Sequence, residues 1–346
     1  MTLSQTCLAV LAAVAGSVAT AAGAAAQAVT PQLIEAAKKE GQVNFYCAAD
    51  LAVCEKVSRA FEAKYPGITV KVERSGSERL FQRIGQEAQT RINNCDVVNT
   101  SDSSHYLVWK KDGMLAKWVP EDVEKFYTPE FKDKDGTYAS WRITLSAFSV
   151  NTNMVKPEEM PKSYADLLKP EWKDRLVKAH PSYSGVVVTA THALSQMMGW
   201  DYLEKLSKQN VMQVQSATEP ARKVGVGERP VGIDGTEYVT FIEMAKGAPL
   251  AIVYPTEGAP LVNSPTAVME KAPHPNAARL FQSYLFTPES QQMLVDVGWA
   301  RSMHPQVKPA PNMKPLSEIK YFPEQAEQIE KGIEEIKRRY SRYFGT

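Results

Sequence analysis

Arg175-Leu-Val-Lys-Ala-His-Pro-Ser-Tyr-Ser-Gly-Val-Val-Val-Thr-Ala190 reads as three pieces in order. Arg175 to Ala179 is a short strand, the residues through Ser184 form a polar loop, and Gly185 opens a helix running to Met198. A polar loop feeding straight into a helix start is a ready anion site, because unpaired backbone N–H groups and the positive end of the helix dipole point at whatever sits there. Ser182, Tyr183 and Ser184 add hydroxyl donors.

The same strand-then-helix grammar extends in both directions. Upstream, Gln42 to Tyr46 is a strand, and Val53, Val57 and Phe61 mark a helix stopped by Pro66-Gly67. Ile68 to Val72 alternates as a strand. A helix from Ser77 carries Leu80, Phe81, Ile84, Ala88 and Ile92 on one face, and Asp96-Val-Val resumes a buried strand. Downstream come a strand at Val231 to Asp234, a helix at Tyr238 to Lys246 and a strand at Leu250 to Tyr254. Strands alternating with helices specify mostly parallel sheets, here in two α/β lobes. Ile143 to Val150, followed by Asn151-Thr-Asn, is the candidate crossover between them, and Pro255 to Val262 the candidate return. Two helices follow, Asn276 to Phe286 and Pro288 to Val297, and a charged helix from about Glu324 carries the stripe Ile329, Ile333, Ile336 and Tyr340.

Composition narrows the function. The first 26 residues hold no charged side chain and end in Ala24-Ala25-Ala26, which reads as a secretory signal peptide lacking the usual basic start. A retained membrane anchor and a lipid on Cys7 are the competing readings of that segment. The remaining chain, about 320 residues, exceeds the roughly 250–300 at which single cores stop growing. Lys+Arg 40 against Asp+Glu 39 leaves a net charge of +1, so no basic field favours nucleic acid. Cys47 and Cys54 are close enough in sequence to bridge in an oxidising compartment, leaving Cys95 as a buried thiol. The five histidines show no HExxH spacing, and neither a G-x-S-x-G elbow nor a G-x-x-x-x-G-K-[ST] loop occurs, which removes the commonest hydrolase and NTPase readings.

Several short pieces, weak singly, match in order and spacing. They are Val43-Asn-Phe-Tyr, Phe61-Glu-Ala-Lys-Tyr-Pro-Gly-Ile, Asp96-Val-Val, Asn151-Thr-Asn, Trp172-Lys-Asp, Ser184-Gly185, Gly227-Glu228, Pro275-Asn-Ala-Ala-Arg-Leu-Phe, Gly298 and Arg301-Ser-Met-His-Pro. Through them the chain resembles the periplasmic solute-binding proteins of ABC importers, in the group that includes the ferric-iron-binding proteins. The resemblance implies the type II two-lobe α/β fold: two doubly wound sheets joined by two crossover strands, with a ligand cleft between lobes that close on binding. It divides the chain into a signal peptide (1–26), lobe 1 (27–145), lobe 2 (146–257), a return to lobe 1 (258–300) and C-terminal helices packing on lobe 2 (301–346).

The resemblance also implies site residues. Ser184 and Gly185 match the Ser-Gly helix start that holds an anion in the family, with Ser182 and Tyr183 beside it. Ser75-Gly76-Ser77 opens a first-lobe helix facing it, with Arg74 or Arg79 as charge partner. Iron-binding members carry two adjacent tyrosines where this chain reads Thr236-Glu237-Tyr238, and a His or Tyr where Asp50 stands. Some carry an acid where Ser101-Asp102 fall. For a ferric ion the available oxygen donors are thus Asp50, Asp102, Glu237 and Tyr238. Structural readings stand beside these: Ser75 and Ser77 as helix caps, Asp50 capping the helix from Leu51, Asp102 capping the helix with Tyr106 and Trp109, and Tyr238 as a core aromatic. Tyr254 and Glu257, near the return crossover, either reach the cleft or pack.

The reading these residues support is a monomeric periplasmic receptor without catalysis or required cofactor. It captures a small phosphate- or carboxylate-bearing organic anion and delivers it to an ABC permease, whose ATPase is a separate chain. The alternatives are Fe(III) with a companion anion, and a subunit presenting ligand to a sensor kinase. Nucleic acid is not an expected partner, and the mature chain is not expected to insert into a membrane.

Overall fold

The computed structural model describes residues 27–345, so the signal-peptide reading of 1–26 lies outside the described residues. The chain begins with α1 (Pro31–Glu40), β1 (Gln42–Cys47), α2 (Leu51–Lys64), β2 (Thr69–Arg74), α3 (Ser77–Gln89), β3 (Val97–Asn99), α4 (Ser103–Lys111) and α5 (Glu121–Phe126). The long β4 (Ala139–Asn151) leads into β5 (Leu176–Ala179), α6 (Gly185–Met197), α7 (Trp200–Ser207), β6 (Met212–Val214), α8 (Glu219–Gly225), β7 (Val231–Thr236), α9 (Glu237–Ala245) and β8 (Leu250–Val253). The return strand β9 (Ala259–Val268) precedes α10 (Pro275–Leu285), α11 (Pro288–Gly298), β10 (Tyr321–Phe322) and α12 (Ala326–Phe344).

This is a two-lobe α/β fold whose sheet is mixed and continuous. The hydrogen-bonded order is β2-β1-β3-β9-β4-β7-β5-β6, with β8 added to β4 and β10 to β9. Within each lobe the pairs β1–β2, β1–β3, β5–β6 and β5–β7 are parallel, as alternation with helices requires. The two crossing strands β4 and β9 pair antiparallel with each other, and β4 also pairs with β7 and β8 of the second lobe. The two expected crossover strands are thus β4 and β9, and they join the sheets of the two lobes edge to edge. The return strand starts four residues beyond the expected Pro255, because Pro255 to Gly258 make a turn, with Gly258 at φ +131°.

Each lobe has its own core. In the first, Phe45, Phe61, Trp141, Phe281 and Tyr284 interlock with ring centroids 5.0 to 6.0 Å apart, tying β1 and α2 to the returning α10. In the second, Phe148, Tyr164, Tyr202 and Leu206 fill the space under β5 and β7. A disulfide joins Cys47 to Cys54, and Cys95 is free and buried. Ile92 does not extend the α3 stripe: the helix stops at Gln89, Arg91 turns into the left-handed region at φ +58°, and Ile92 is exposed. The C-terminal helix corrects a second expectation, because α12 packs on α4 as well as on α6 and α7 and so spans both lobes. None of the helices among the described residues is long and apolar enough to cross a membrane.

Candidate functional site

The side-chain period of two along β4 sorts its residues by face. Ile143 and Leu145 pack with Leu261 and Ile319, while Arg142, Thr144 and Ser146 alternate with them. Arg142 lies opposite Ser264 of β9, and Ser146 opposite Thr236 of β7, so a buried polar row runs along the crossing strands.

Above one end of this row lies a small chamber between the lobes, with free space of about 20 Å³. Gly76 and Ser77, at the start of α3, form part of its first-lobe wall, together with Ser101 and Arg74; Ser184, Ser216 and Thr218 line it from the second lobe. Arg142, Thr236 and Tyr238 complete its polar lining, and Ala48, Val186 and Ala217 add apolar surface. The N-cap residues Gly76 of α3 and Ser184 of α6 make no side-chain capping bond, so their helix starts keep N–H groups for something else. Arg142 is 2% exposed, and its guanidinium sits 4.5 Å from the centre of the Tyr238 ring. Its Nε and Nη1 have no hydrogen-bond partner among the described residues, nor do Thr144 Oγ1, Ser146 Oγ and Thr236 Oγ1. Donors left unmade at this depth cost free energy unless a ligand or water completes them.

The lobes meet closely around the chamber. Arg74 donates to Ser216 Oγ at 3.3 Å and Arg79 to Gln215 Oε1 at 2.9 Å, while Arg79 also lies 4.9 Å from the Tyr183 ring centre. Arg222 of α8 pairs with Asp50 across the cleft and with Glu243 at 3.2 Å.

The residues singled out in the sequence separate into three groups. Ser77, Ser101, Ser184 and Tyr238 line the chamber. Ser77 is not a cap: Gly76 occupies that position, and Ser77 Oγ accepts from the Ser101 N–H at 3.0 Å. Gly185 sits at the lobe contact, where a Cβ would stand 2.7 Å from Asp102 Cβ, and Tyr183 packs on Arg79. Ser182 lies in a separate surface depression with His180 and Gln213, and half-buried Ser75 does not line the chamber.

Asp50, Asp102 and Glu237 do not line the chamber, and each carboxylate has partners outside it. Asp50 caps α2 through the Ala52 N–H at 3.1 Å and holds Arg222. Asp102 caps α4 through the Ser104 N–H at 2.9 Å. Glu237 takes two bonds from Arg301 at 2.7 and 3.0 Å, one from Tyr254 Oη at 2.7 Å and one from the Leu145 N–H at 3.0 Å. The four oxygen donors expected for a ferric ion are thus not brought together; only Tyr238 faces the chamber. Tyr254 serves Glu237, and Glu257 accepts from the Tyr164 and Ala165 N–H groups.

A different cluster, Glu78, Asp102 and His105, brings its ligand atoms within 4.8 Å of one another. His105 Nε2 is 2.9 Å from Glu78 Oε1 and 3.7 Å from Asp102, and Lys337 of α12 reaches the other Glu78 oxygen at 2.5 Å. Burial alone would raise Glu78, yet His105 and Lys337 hold it at about 2. Burial opposes charge on His105 too, but Asp102 and Glu78 raise it. Glu78 thus lies between His105 and Lys337 in a buried ion-pair network, with Asp102, raised by its burial, beside His105.

Arg142, Ser216, Thr218 and Thr236 are the polar chamber residues that the sequence reading missed. For Arg142 a signal existed: it is the lone charge in the stretch Ala139 to Asn151.

Comparison with known proteins identifies the family and the fold. The family of bacterial extracellular solute-binding proteins matches residues 96–321, more than half of the chain. An uncharacterised protein of Haemophilus influenzae is 28% identical over 288 residues, 80% of this chain and 81% of its own. Among solved structures, the periplasmic binding protein AfuA from Actinobacillus pleuropneumoniae, with exogenous fructose-6-phosphate bound, superposes with a TM-score of 0.80 at 24% identity, covering 88% of this chain and 99% of that one. Iron-bound HitA from Pseudomonas aeruginosa gives 0.74 at 21% identity, covering 86% and 99%. With the family matched over residues 96–321 and the fold shared over 88% of the chain, the chain belongs to the bacterial extracellular solute-binding proteins.

Proposed function

We propose that this solute-binding protein works in the periplasm for an ABC importer, closing its lobes on a small organic anion that bears a phosphate or carboxylate group and handing it to the permease. The single observation that carries the reading is Arg142: a cation buried at the chamber wall with two N–H groups unpartnered, beside two helix starts without side-chain caps. Each of these features favours negative charge, and together they converge on one space. Ser77, Ser101 and Ser184 supply hydroxyls to the same group, while Gly185 permits the approach of the lobes. Fructose-6-phosphate in the Actinobacillus protein is a ligand of this chemical kind. The protein acts as a monomer and performs no reaction, with lobes spanning 27–145 and 258–300 on one side and 146–257 on the other.

Native mass spectrometry of the exported protein, with metal analysis of the same sample, tests the reading. A metal-free adduct of an organic anion that is lost in Arg142→Gln supports it. A neutral adduct, stoichiometric iron, or an anion retained unchanged by Arg142→Gln overturns it.

A further inference from the structure

The charges around the chamber do not balance. Arg74 and Arg142 both line it, and among the described residues neither guanidinium has a carboxylate within ion-pair distance. Arg74 donates to the Ala49 carbonyl at 3.2 Å and to Ser216 Oγ, both neutral; Arg142 lies against the Tyr238 ring. Among the described residues, no acidic side chain lines the chamber. Of the carboxylates near it, Asp50 pairs with Arg222, Glu237 with Arg301, and Glu78 with His105 and Lys337, while Asp102, next to Ser101, accepts from the Ser104 N–H and lies 3.7 Å from His105. The starts of α3 and α6 add about half a positive charge each.

A ligand with one negative charge would leave one of the two guanidinium groups uncompensated, and at Arg142, only 2% exposed, an unpaired charge is costly. A P–OH proton would also find no carboxylate there to accept it. Resting on the anion site proposed above, we infer that the bound group is a phosphoryl dianion, with Arg74 and Arg142 as the residues that select it over singly charged esters and carboxylates. Guanidinium groups stay charged at all physiological pH, and Ser and Thr hydroxyls do not titrate. The proton that decides affinity is therefore the ligand's own, lost near pH 6 in phosphate monoesters.

Other titratable groups stand close by. Tyr238 is on the wall, Glu78, Asp102 and His105 lie next to Ser77 and Ser101, His180 is in the loop before Ser184, and the Asp50–Arg222 and Glu237–Arg301 pairs flank the cleft. A ligand that does not titrate in this range reports their combined effect, so a matched pair of ligands separates the protein's protons from the ligand's.

The experiment is calorimetric titration of the mature protein with glycerol 3-phosphate and with glycerol 3-sulfate, between pH 5 and pH 8. The expected ratio of affinities, phosphate over sulfate, rises by nearly tenfold per pH unit below about pH 6 and levels off above it. At pH 8 it exceeds tenfold, and Arg74→Gln reduces it. Equal affinities at pH 8, or a ratio that does not change with pH, overturn the dianion inference and leave the anion site standing. If neither ester nor inorganic phosphate binds at millimolar concentration, the anion site itself falls, and the inference with it.

Discussion

A Cβ built on Gly76 of the first lobe would stand 2.3 Å from the carbonyl oxygen of Tyr183 in the second. The relation has a counterpart, because a Cβ on Gly185 of the second lobe would stand 2.8 Å from the carbonyl oxygen of Ser101 in the first. Each lobe thus opens a helix with a residue whose missing side chain is filled by the other. Gly76 has φ −66° and ψ 150°, a conformation open to any residue, so proximity alone calls for glycine there.

Alanine at either position is predicted to block closure without disturbing either lobe. The expected outcome for Gly76→Ala or Gly185→Ala is a larger radius of gyration with ligand present, measured by small-angle X-ray scattering, and at least a tenfold loss of affinity. The melting temperature without ligand stays within about 2 °C, since no lobe core is touched. A variant that closes and binds normally would show that the backbone yields at this contact.

Arg142 yields a prediction of opposite sign for binding and stability. A buried guanidinium with two unpartnered N–H groups costs about 1–3 kcal/mol, partly offset by its contact with Tyr238. Arg142→Met fills similar space without the charge. Urea unfolding of the ligand-free variant should show equal or greater stability, by up to about 2 kcal/mol, while anion binding is lost; function held at the expense of stability is common at binding sites. A destabilised variant would mean that the resting protein satisfies Arg142 by other means.

The alternation of strands and helices was legible because it depends on local spacing. Val53, Val57 and Phe61 fall at four-residue intervals, and all three are buried on α2. The two helix starts at Gly76 and Ser184 could be read for the same reason. The fates of Asp50 and Glu237 could not, because their partners Arg222 and Arg301 lie 172 and 64 residues away and nothing near either acid announces them. Arg142 was hidden in a different way. Its place on the chamber depends on the pairing of β4 with β9, which shifts between Ser140 and Arg142, and on Tyr238 arriving from another element.

The network at Glu78 supplies a test of how α12 holds the lobes. Lys337 is the only charge that α12 brings to this network among the described residues, and it lies on a carboxylate that is 1% exposed. Removing one partner of a buried pair leaves the other uncompensated, which costs about 3–5 kcal/mol, whereas removing both is far milder. Chemical unfolding of Lys337→Met should show a loss in that range, reduced by the partial exposure of the lysine. Most of it should return in the double variant Lys337→Met, Glu78→Gln. Additive losses would mean that the contact contributes little and that α12 is held by its apolar stripe alone.

Glu324 sits where both lobes and a crossing strand meet. Its carboxylate accepts from Ser103 N–H and Oγ at 3.2 and 2.8 Å, from the Asn263 N–H at 3.2 Å, and from Thr189 Oγ1 at 3.4 Å. Burial, and then the charge of Asp102, raise it from 4.5 to about 7, against the pull of these donors. The sign of the linkage follows. Between about pH 4.5 and pH 7 the folded protein binds a proton here that the unfolded chain has lost, so this group's contribution to stability falls as pH rises through that window. The full change is about 3 kcal/mol. His105, also raised, contributes a decline of the same sign as pH rises toward its folded value, so wild type alone cannot isolate Glu324. The difference between wild type and Glu324→Gln can: the glutamine variant should match wild type near pH 4.5 and become progressively more stable than it up to pH 7. Parallel stability curves across that range would show that Glu324 is ionised in the folded protein throughout.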